Sequence, residues 1–321
     1  MRATRRALLG LPAILATPSL AQGTWPSRAV TLVVPYAPGG GADVITRATA
    51  PIMERVLGQP VVVENRAGGA TALAATYVSQ ARADGYTLLM GTTSLAINPA
   101  LQPNLTPRDP TRELAPVGPV YRNPFVLQVH ASLPVRTLAE FVAYAKANPG
   151  KLDYGSAGIG TVNHLAFVLL AKEAGIDVEH IPYRGGGPAL LDLRAGRVQA
   201  LFSSALEAMP LIQDGVSRAI AVSSATRIAL FPDVPPVADS IPGFDVAFWQ
   251  GLFAPVGTPD AVVARLAEAL RAATTDAELR RRMTEQGVDL VVGGPQEIAR
   301  MLADETATWA RVVREANIRV D

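Results

Sequence analysis

The sequence predicts an α/β protein of two lobes, and three observations predict it. Strand-like and helix-like segments alternate from Val30 to the end of the chain, the pattern of parallel or mixed sheets covered by helices. One device, a short apolar strand entering a glycine loop and then a helix, occurs at residues 30–58 and again at 152–167. Proline-rich stretches precede two places where the chain would cross between these halves, near 121–129 and near 247. Lobes joined by such a double crossover face each other over a cleft and close on a hinge.

Length and composition leave room for this. At 321 residues the chain can build two cores, and with 49% apolar and 18% charged residues it reads as globular. Cysteine is absent, which removes disulfides, thiolate metal sites and cysteine nucleophiles. The opening MRATRRALLGLPAILATPSLAQG has Arg2, Arg5 and Arg6 before a short apolar run and a small-residue site ending at Ala21. It reads as a secretory signal peptide, residues 1–21, cut before Gln22. Arg5-Arg6 ahead of Ala7-Leu8-Leu9 is similar to a twin-arginine signal. Removing this segment takes 3 of the 29 basic residues and no acid, leaving 26 against 28, a net charge of −2. No basic run with interleaved aromatics occurs, so no nucleic-acid partner is expected. Beyond residue 22 there is no apolar stretch of 18 residues, so the expected product is soluble and exported to the periplasm.

The elements follow in order. Residues 30–34, VTLVV, form a buried strand, and residues 35–41 a tight loop with three consecutive glycines. The next helix carries Asp43 at its N-cap or in its first turn. Ile45, Ala48, Ile52 and Val56 are expected on its buried face, and Gly58 at its end. Pro51 should kink it or loosen a turn. The unpaired N–H groups at the start of such a helix form a seat for an anion. Val61, Val62 and Val63 make a second strand, 64–69 a second glycine loop, 71–81 an alanine-rich helix and 86–91 a strand ending in Thr92, Thr93 and Ser94. Six prolines between 99 and 119 predict an irregular excursion.

The strand at 121–129 enters the second lobe, and a helix spans 137–146. The second strand–glycine–helix device then carries Gly155 to Thr161. Strands follow at 178–183, 198–204 and 218–224, with a helix at 189–195 and Pro188 at its first position. After proline-rich 232–243 the chain returns near Ala247 and ends in helices at 258–274, 276–286 and 295–316. Residues 22–124 with 247–321 make lobe 1, and 125–246 lobe 2.

Catalytic chemistry is thin. Of the three histidines, His130, His164 and His180, none has a paired metal-ligand spacing. No metal and no cofactor is expected. GSAG at 155–158 is not a nucleophile elbow. GIGTVN at 158–163 lacks the third glycine of a dinucleotide loop. An exported hydrolase using Ser156 and His164 is the enzymatic alternative.

Six segments then carry a resemblance: PYAPGGGADVITR, GQPVVVENRAGG, DGYTLLMG, NPGKLDYGSAGIGTVNHLA, IPYRGGGPALLDLRAGRVQ and WQGLFAPVGTP, in this order over the mature chain. The sequence resembles the Bug-type extracytoplasmic solute receptors of tripartite tricarboxylate transporters. The resemblance implies a type II periplasmic-binding-protein fold with a ligand cleft between the lobes, a small mono- or dicarboxylate as ligand, and no catalysis. Its implied partner is a membrane permease of the tripartite tricarboxylate type, served by a monomer. It implies that backbone N–H groups, hydroxyls and water, with no obligatory arginine, hold the carboxylate. The implied first seat is Tyr36, Pro38, Gly39, Gly40 and Asp43. The second is Ser156, Gly158, Gly160, Thr161 and His164, with Thr92 and Ser94 as a wall, Tyr183 and Gly185 approaching from lobe 2, and Trp249 near the hinge. Two departures stand out. Where many members have Phe-Asp-Asn, this chain has Phe202-Ser203-Ser204, which disfavours an amino-acid ligand and makes Ser203 the residue at that slot. The family's second glycine loop is thinned to Ala67-Gly68-Gly69-Ala70-Thr71, which argues against close backbone approach at 70 and 71.

Overall fold

The structure, a computed structural model, describes residues 25–315 and residue 318. The signal segment 1–21 and its cut before Gln22 lie outside the described residues. Lobe 1 opens with β1 (Val30–Val34), α1 (Gly41–Leu57), β2 (Val61–Asn65), α2 (Ala72–Ser79), β3 (Thr87–Thr92), α3 (Ser94–Leu101) and α4 (Pro110–Glu113). β4 (Leu114–His130) leads out of it. Lobe 2 follows with α5 (Leu138–Ala147), β5 (Asp153–Ser156), α6 (Val162–Ala174), β6 (Glu179–Pro182), α7 (Gly186–Arg194), β7 (Ala200–Ser204), α8 (Ala205–Gln213) and β8 (Ser217–Val222). β9 (Ala247–Pro255) returns to lobe 1, which α9 (Asp260–Thr275), α10 (Ala277–Glu285) and α11 (Pro295–Glu315) complete.

β4 explains how two lobes arise from one chain. Its first part pairs antiparallel with β9, from Leu114↔Pro255 to Pro124↔Ala247. From Phe125↔Ser204 onward it pairs with β7, and on its other edge with β8. The lobe 1 sheet therefore runs β2-β1-β3-β9-β4, and the lobe 2 sheet β8-β4-β7-β5-β6. The expected irregular excursion at 99–119 is corrected over much of its length, since 99–101 close α3, 110–113 form α4 and 114–119 open β4. Pro116 and Pro119 are tolerated because the pairing to β9 shifts register beside each of them, where a missing donor costs no ladder bond.

α1 begins after Gly40, whose backbone is extended, and ends at Gly58 in the left-handed region (φ 71°), whose N–H donates to Glu54 O at 2.8 Å. Its buried stripe is Ile45, Thr49, Met53 and Leu57, and of the expected face Ala48, Ile52 and Val56 are only half-buried. Truncating Met53 or Leu57 to alanine would cost about 2–5 kcal/mol by transfer and cavity terms. The helix is continuous through Pro51. Pro188 is the third residue of α7 rather than its first, behind Gly186 and Gly187. β1 is buried throughout except Thr31, as a strand flanked by β2 and β3 and covered by helices should be. α1, α6, α7 and α8 follow the carboxyl ends of β1, β5, β6 and β7 and begin at the space between the two sheets, and this convergence positions the site.

Candidate ligand cleft

A cavity, open at its mouth, lies between the lobes. Lobe 1 contributes Tyr36 and Gly40 to Ala42, and lobe 2 contributes Ala157, Asn163, Gly186, Ser204 and Glu207. The crossing strands supply Tyr121, Phe125 and Phe248. Set against the helix boundaries, this lining has a simple meaning. Gly41 and Ala42 open α1, Asn163 lies in the first turn of α6, Gly186 opens α7, and Ser204 caps α8. Four helix N-termini therefore converge on one space, each with unpaired N–H groups and the positive end of its dipole.

Part of that potential is already taken by the protein. Glu207 Oε1 accepts from the Gly41 N–H at 2.8 Å, across the cleft. Its Oε2 accepts from Ser204 N–H and from Ser204 Oγ–H at 3.1 and 2.9 Å, and Ser204 Oγ accepts from Glu207 N–H at 3.3 Å. This is a capping box, so the same carboxylate caps α8 and touches α1. At α6, Asn163 Oδ1 accepts from Thr161 Oγ–H (2.7 Å), His164 N–H (3.1 Å) and Ala157 N–H (3.4 Å). Asp43 is buried at the first turn of α1 and accepts from Gly39 N–H, Asn65 Nδ2 and Arg47 Nε. Burial pushes its carboxyl up, but Arg47, the Gly39 N–H and Asn65 outweigh this and hold it below the usual carboxylate range.

The cavity's inner wall is aromatic. Phe248 lies at ring-centre distances of 6.4, 5.7 and 6.0 Å from Tyr36, Tyr121 and Phe125. Burial raises the Tyr36 phenol and raises the Tyr121 phenol well above its ordinary value, so both stay neutral and able to donate. Tyr36 O–H lies 3.4 Å from Thr92 Oγ1.

A wider opening adjoins the cavity at Tyr36 and Ala157. Residues 67–71, Gly158, Ile159, Tyr183 and the exposed Arg184 wall it. Ala70 and Thr71 do approach the cleft, against the sequence expectation, and both hold positive φ (50° and 74°). Strained non-glycine backbone of this kind persists where the surroundings over-determine it. Asn98 Nδ2, which donates to Ala70 O at 2.9 Å, is one such restraint.

Among the residues implied by the resemblance, Tyr36, Gly40, Gly158 and Tyr183 line these two spaces. Pro38 and Gly39 lie at the exposed rim, and Gly185 packs behind Ala37. Tyr183 O–H donates to Asp192 Oδ2 at 2.6 Å. Thr92 and Ser94 stand buried behind Tyr36, and both hydroxyls act on its phenol. Gly160 faces Gln102 and Ala70 of lobe 1. Ser203 points into the sheet, where its Oγ accepts from Gln128 Nε2 at 2.5 Å while Gln128 Oε1 accepts from Ser217 Oγ–H. Trp249 is fully buried, its backbone N–H donating to Thr93 Oγ1, and its strand neighbour Phe248 faces the cavity instead.

The pair proposed for hydrolysis does not form. Ser156 Oγ lies 2.6 Å from His180 Nε2, while His164 Nδ1 accepts from the Gly160 N–H at 3.1 Å. Ser156 is fully buried and also donates to Gly158 O, which leaves no path for a substrate carbonyl. His164, His180 and Tyr154 stack in one column, His164 to His180 at 4.1 Å and Tyr154 to His180 at 4.9 Å. Burial, and for His164 the neighbouring His180, pushes these imidazoles down to about 3 (His164) and about 4 (His180). They are neutral structural groups. Among the described residues no cluster of three or more His, Asp or Glu could hold a metal ion, and no helix is long and apolar enough to cross a membrane.

Sequence reading missed Tyr121, Phe125, Phe248 and Glu207. The last had a visible signal, because Ser204-Ala205-Leu206-Glu207 is the S-x-x-E pattern of a capping box. The aromatic three had none short of knowing which face of each crossing strand meets the cleft.

Comparison with known proteins places this geometry. Residues 45–318 match the family model described as the tripartite tricarboxylate transporter family receptor. The periplasmic binding protein BugD superposes with a TM-score of 0.88 at 31% identity, covering 92% of this chain and 99% of its own. Rpa4515 of R. palustris, solved with adipate, gives 0.87 at 33% identity over 92% and 99%. MatC (Rpa3494) of Rhodopseudomonas palustris, solved with bound malate, gives 0.86 at 34% identity over 90% and 100%.

Proposed function

The chain belongs to the tripartite tricarboxylate transporter receptor family, and from that premise we propose that it captures a small organic carboxylate between its lobes and hands it to a membrane permease of that transporter type. It is a binding protein, as its solved relatives are, and not an enzyme. The observation that carries the ligand class is the convergence of the N-terminal turns of α1, α6, α7 and α8 on one interlobe cavity. Their N–H groups and dipoles favour negative charge without any arginine in that cavity. Tyr36 and Tyr121, held neutral, supply further donors. Each hydrogen bond to a ligand carboxylate is worth roughly 1.5–3 kcal/mol and each helix N-terminus adds about 0.3–1 kcal/mol, so contacts to the carboxylate carry a large share of the binding free energy. We further propose lobe boundaries at 124/125 and 246/247, where β4 changes partner sheet and β9 begins. Export to the periplasm through the 1–21 signal, and a monomeric working state, complete the reading.

Calorimetry of the mature chain against a panel of mono- and dicarboxylates tests this. One acid should bind per chain and be recovered unchanged. If no carboxylate binds, or one is chemically converted, the reading fails.

A further inference from the structure

Resting on the carboxylate-receptor reading, we propose that Glu207 occupies the α1 seat as a resident carboxylate and thereby restricts the ligand to acids with a single carboxylate and an apolar opposite end. Two independent observations meet here. The first is the cross-cleft bond: Glu207 Oε1 holds the Gly41 N–H at 2.8 Å, the N–H that a ligand carboxylate would otherwise take at α1. A second carboxylate entering the inner cavity meets a fixed negative charge in a partly desolvated space, where like charges repel far more than in water. The second observation is the wall opposite. Tyr36, Tyr121, Phe125 and Phe248 surround the same space, which suits an alkyl chain or an aromatic ring.

A cationic end is less suited than an apolar one. Among the described residues no salt bridge reaches Glu207, yet both its oxygens already accept hydrogen bonds, from Gly41 and from Ser204. The N-termini of α1 and α8 compensate its charge. The ligand's own carboxylate is left the adjoining opening, where Gly158 ahead of α6 and the exposed Arg184 ahead of α7 wall a space that Glu207 does not line.

A matched six-carbon series tests the proposal by calorimetry: hexanoate, adipate and 6-aminohexanoate, with 3-phenylpropionate as the aromatic probe. The native mature protein should bind hexanoate or 3-phenylpropionate at least about tenfold more tightly than adipate, the factor expected of one uncompensated charge contact. Glu207→Gln keeps an acceptor for Ser204 and removes the charge. It should tighten adipate by about tenfold more than it tightens hexanoate, so that the ratio between the two acids collapses. Adipate binding the native protein as tightly as hexanoate overturns the proposal while leaving the receptor reading intact. So does an unchanged ratio in Glu207→Gln, or 6-aminohexanoate binding tightest. If none of the four acids binds the native protein, the receptor reading and this inference fall together. The native ratios need no variant, so a folding defect in Glu207→Gln does not shield the proposal.

Discussion

The carboxylate of Glu207 in lobe 2 accepts a hydrogen bond from the backbone N–H of Gly41 in lobe 1 at 2.8 Å, closing the cleft with the protein's own side chain. A second cross-cleft bond, Ala37 N–H to Arg184 O at 2.9 Å, lies at the rim. A hydrogen bond to a charged group contributes roughly 1.5–3 kcal/mol, a large share of what decides an open–closed equilibrium between packed lobes. Without ligand, Glu207→Ala should populate more open lobes, and small-angle scattering should give a larger radius of gyration. The same substitution removes the α8 capping box, at a cost of about 0.5–2 kcal/mol in denaturant unfolding. An unchanged scattering profile would show that other contacts hold the lobes together.

Acid should destabilise the fold through the histidine column. In the folded chain His164 and His180 are pushed down to about 3 and about 4, against an ordinary value of 6.5. The unfolded chain takes up protons at these sites from about pH 6.5 downward, while the native chain does not until pH 4 or below. Stability is therefore complete above about pH 6.5 and is lost as pH falls toward about 4, by at most about 1.4 kcal/mol per pH unit for each histidine. Urea unfolding at a series of pH values should show this slope. His164→Gln combined with His180→Gln should flatten it, while lowering stability at neutral pH through lost stacking and the lost Ser156 contact. An equal slope in the double variant would assign the acid sensitivity elsewhere.

Two glycines of the cleft should answer the same substitution differently. Gly40 has φ −79°, and a Cβ there would sit 3.5–3.6 Å from Glu207 Oε1, Gly186 N and Gly187 N, which is ordinary contact. Gly40→Val should therefore fold, keep its melting temperature within a few degrees, and lose ligand affinity by wedging the seat. Gly158 has φ +134°, and its Cβ would lie 3.1 Å from Tyr183 O. Gly158→Val should destabilise by about 1–3 kcal/mol from backbone strain alone, so any loss of binding there comes with a lower melting temperature. Equal melting temperatures for the two variants would contradict this reading.

What could be read from the chain and what could not divide along physical lines. The β-branched run 30–34 and the glycines after it announce a buried strand and a loop, because both signals are local. The N-termini of α1 and α6 follow from them. The cavity's inner wall depends instead on β4 and β9 crossing between sheets, and on which face of each strand meets the cleft. Phe248 lines the cavity and Trp249 does not, a distinction set by side-chain alternation on a strand whose register sequence does not fix. Asp43 reads equally well as a ligand contact or a structural acid. Only the proximity of Arg47, 2.9 Å away, and of Asn65, 22 residues further along the chain, decides for the latter. Pairing of Ser156 with His180 rather than His164 is likewise a consequence of β5 and β6 lying side by side, Tyr154 opposite His180.

The same alternation governs Ser203. It stands on β7 with its side chain turned away from the cavity into a buried chain, Ser203–Gln128–Ser217, that links β7, β4 and β8. Gln128 is fully buried, and its Nε2 group donates to Ser203 Oγ. Ser203→Ala should therefore leave a buried donor unpaired and cost about 1–3 kcal/mol in denaturant unfolding, with ligand affinity unchanged. Ser203→Asp places a carboxylate in the same enclosed position with one amide donor and no cation. It should destabilise more than the alanine variant, instead of acting as a direct repulsive contact for an anionic ligand. Calorimetry and unfolding on both variants check this together. A Ser203→Asp protein that unfolds like the native chain but binds carboxylates more weakly would mean that residue 203 faces the ligand after all.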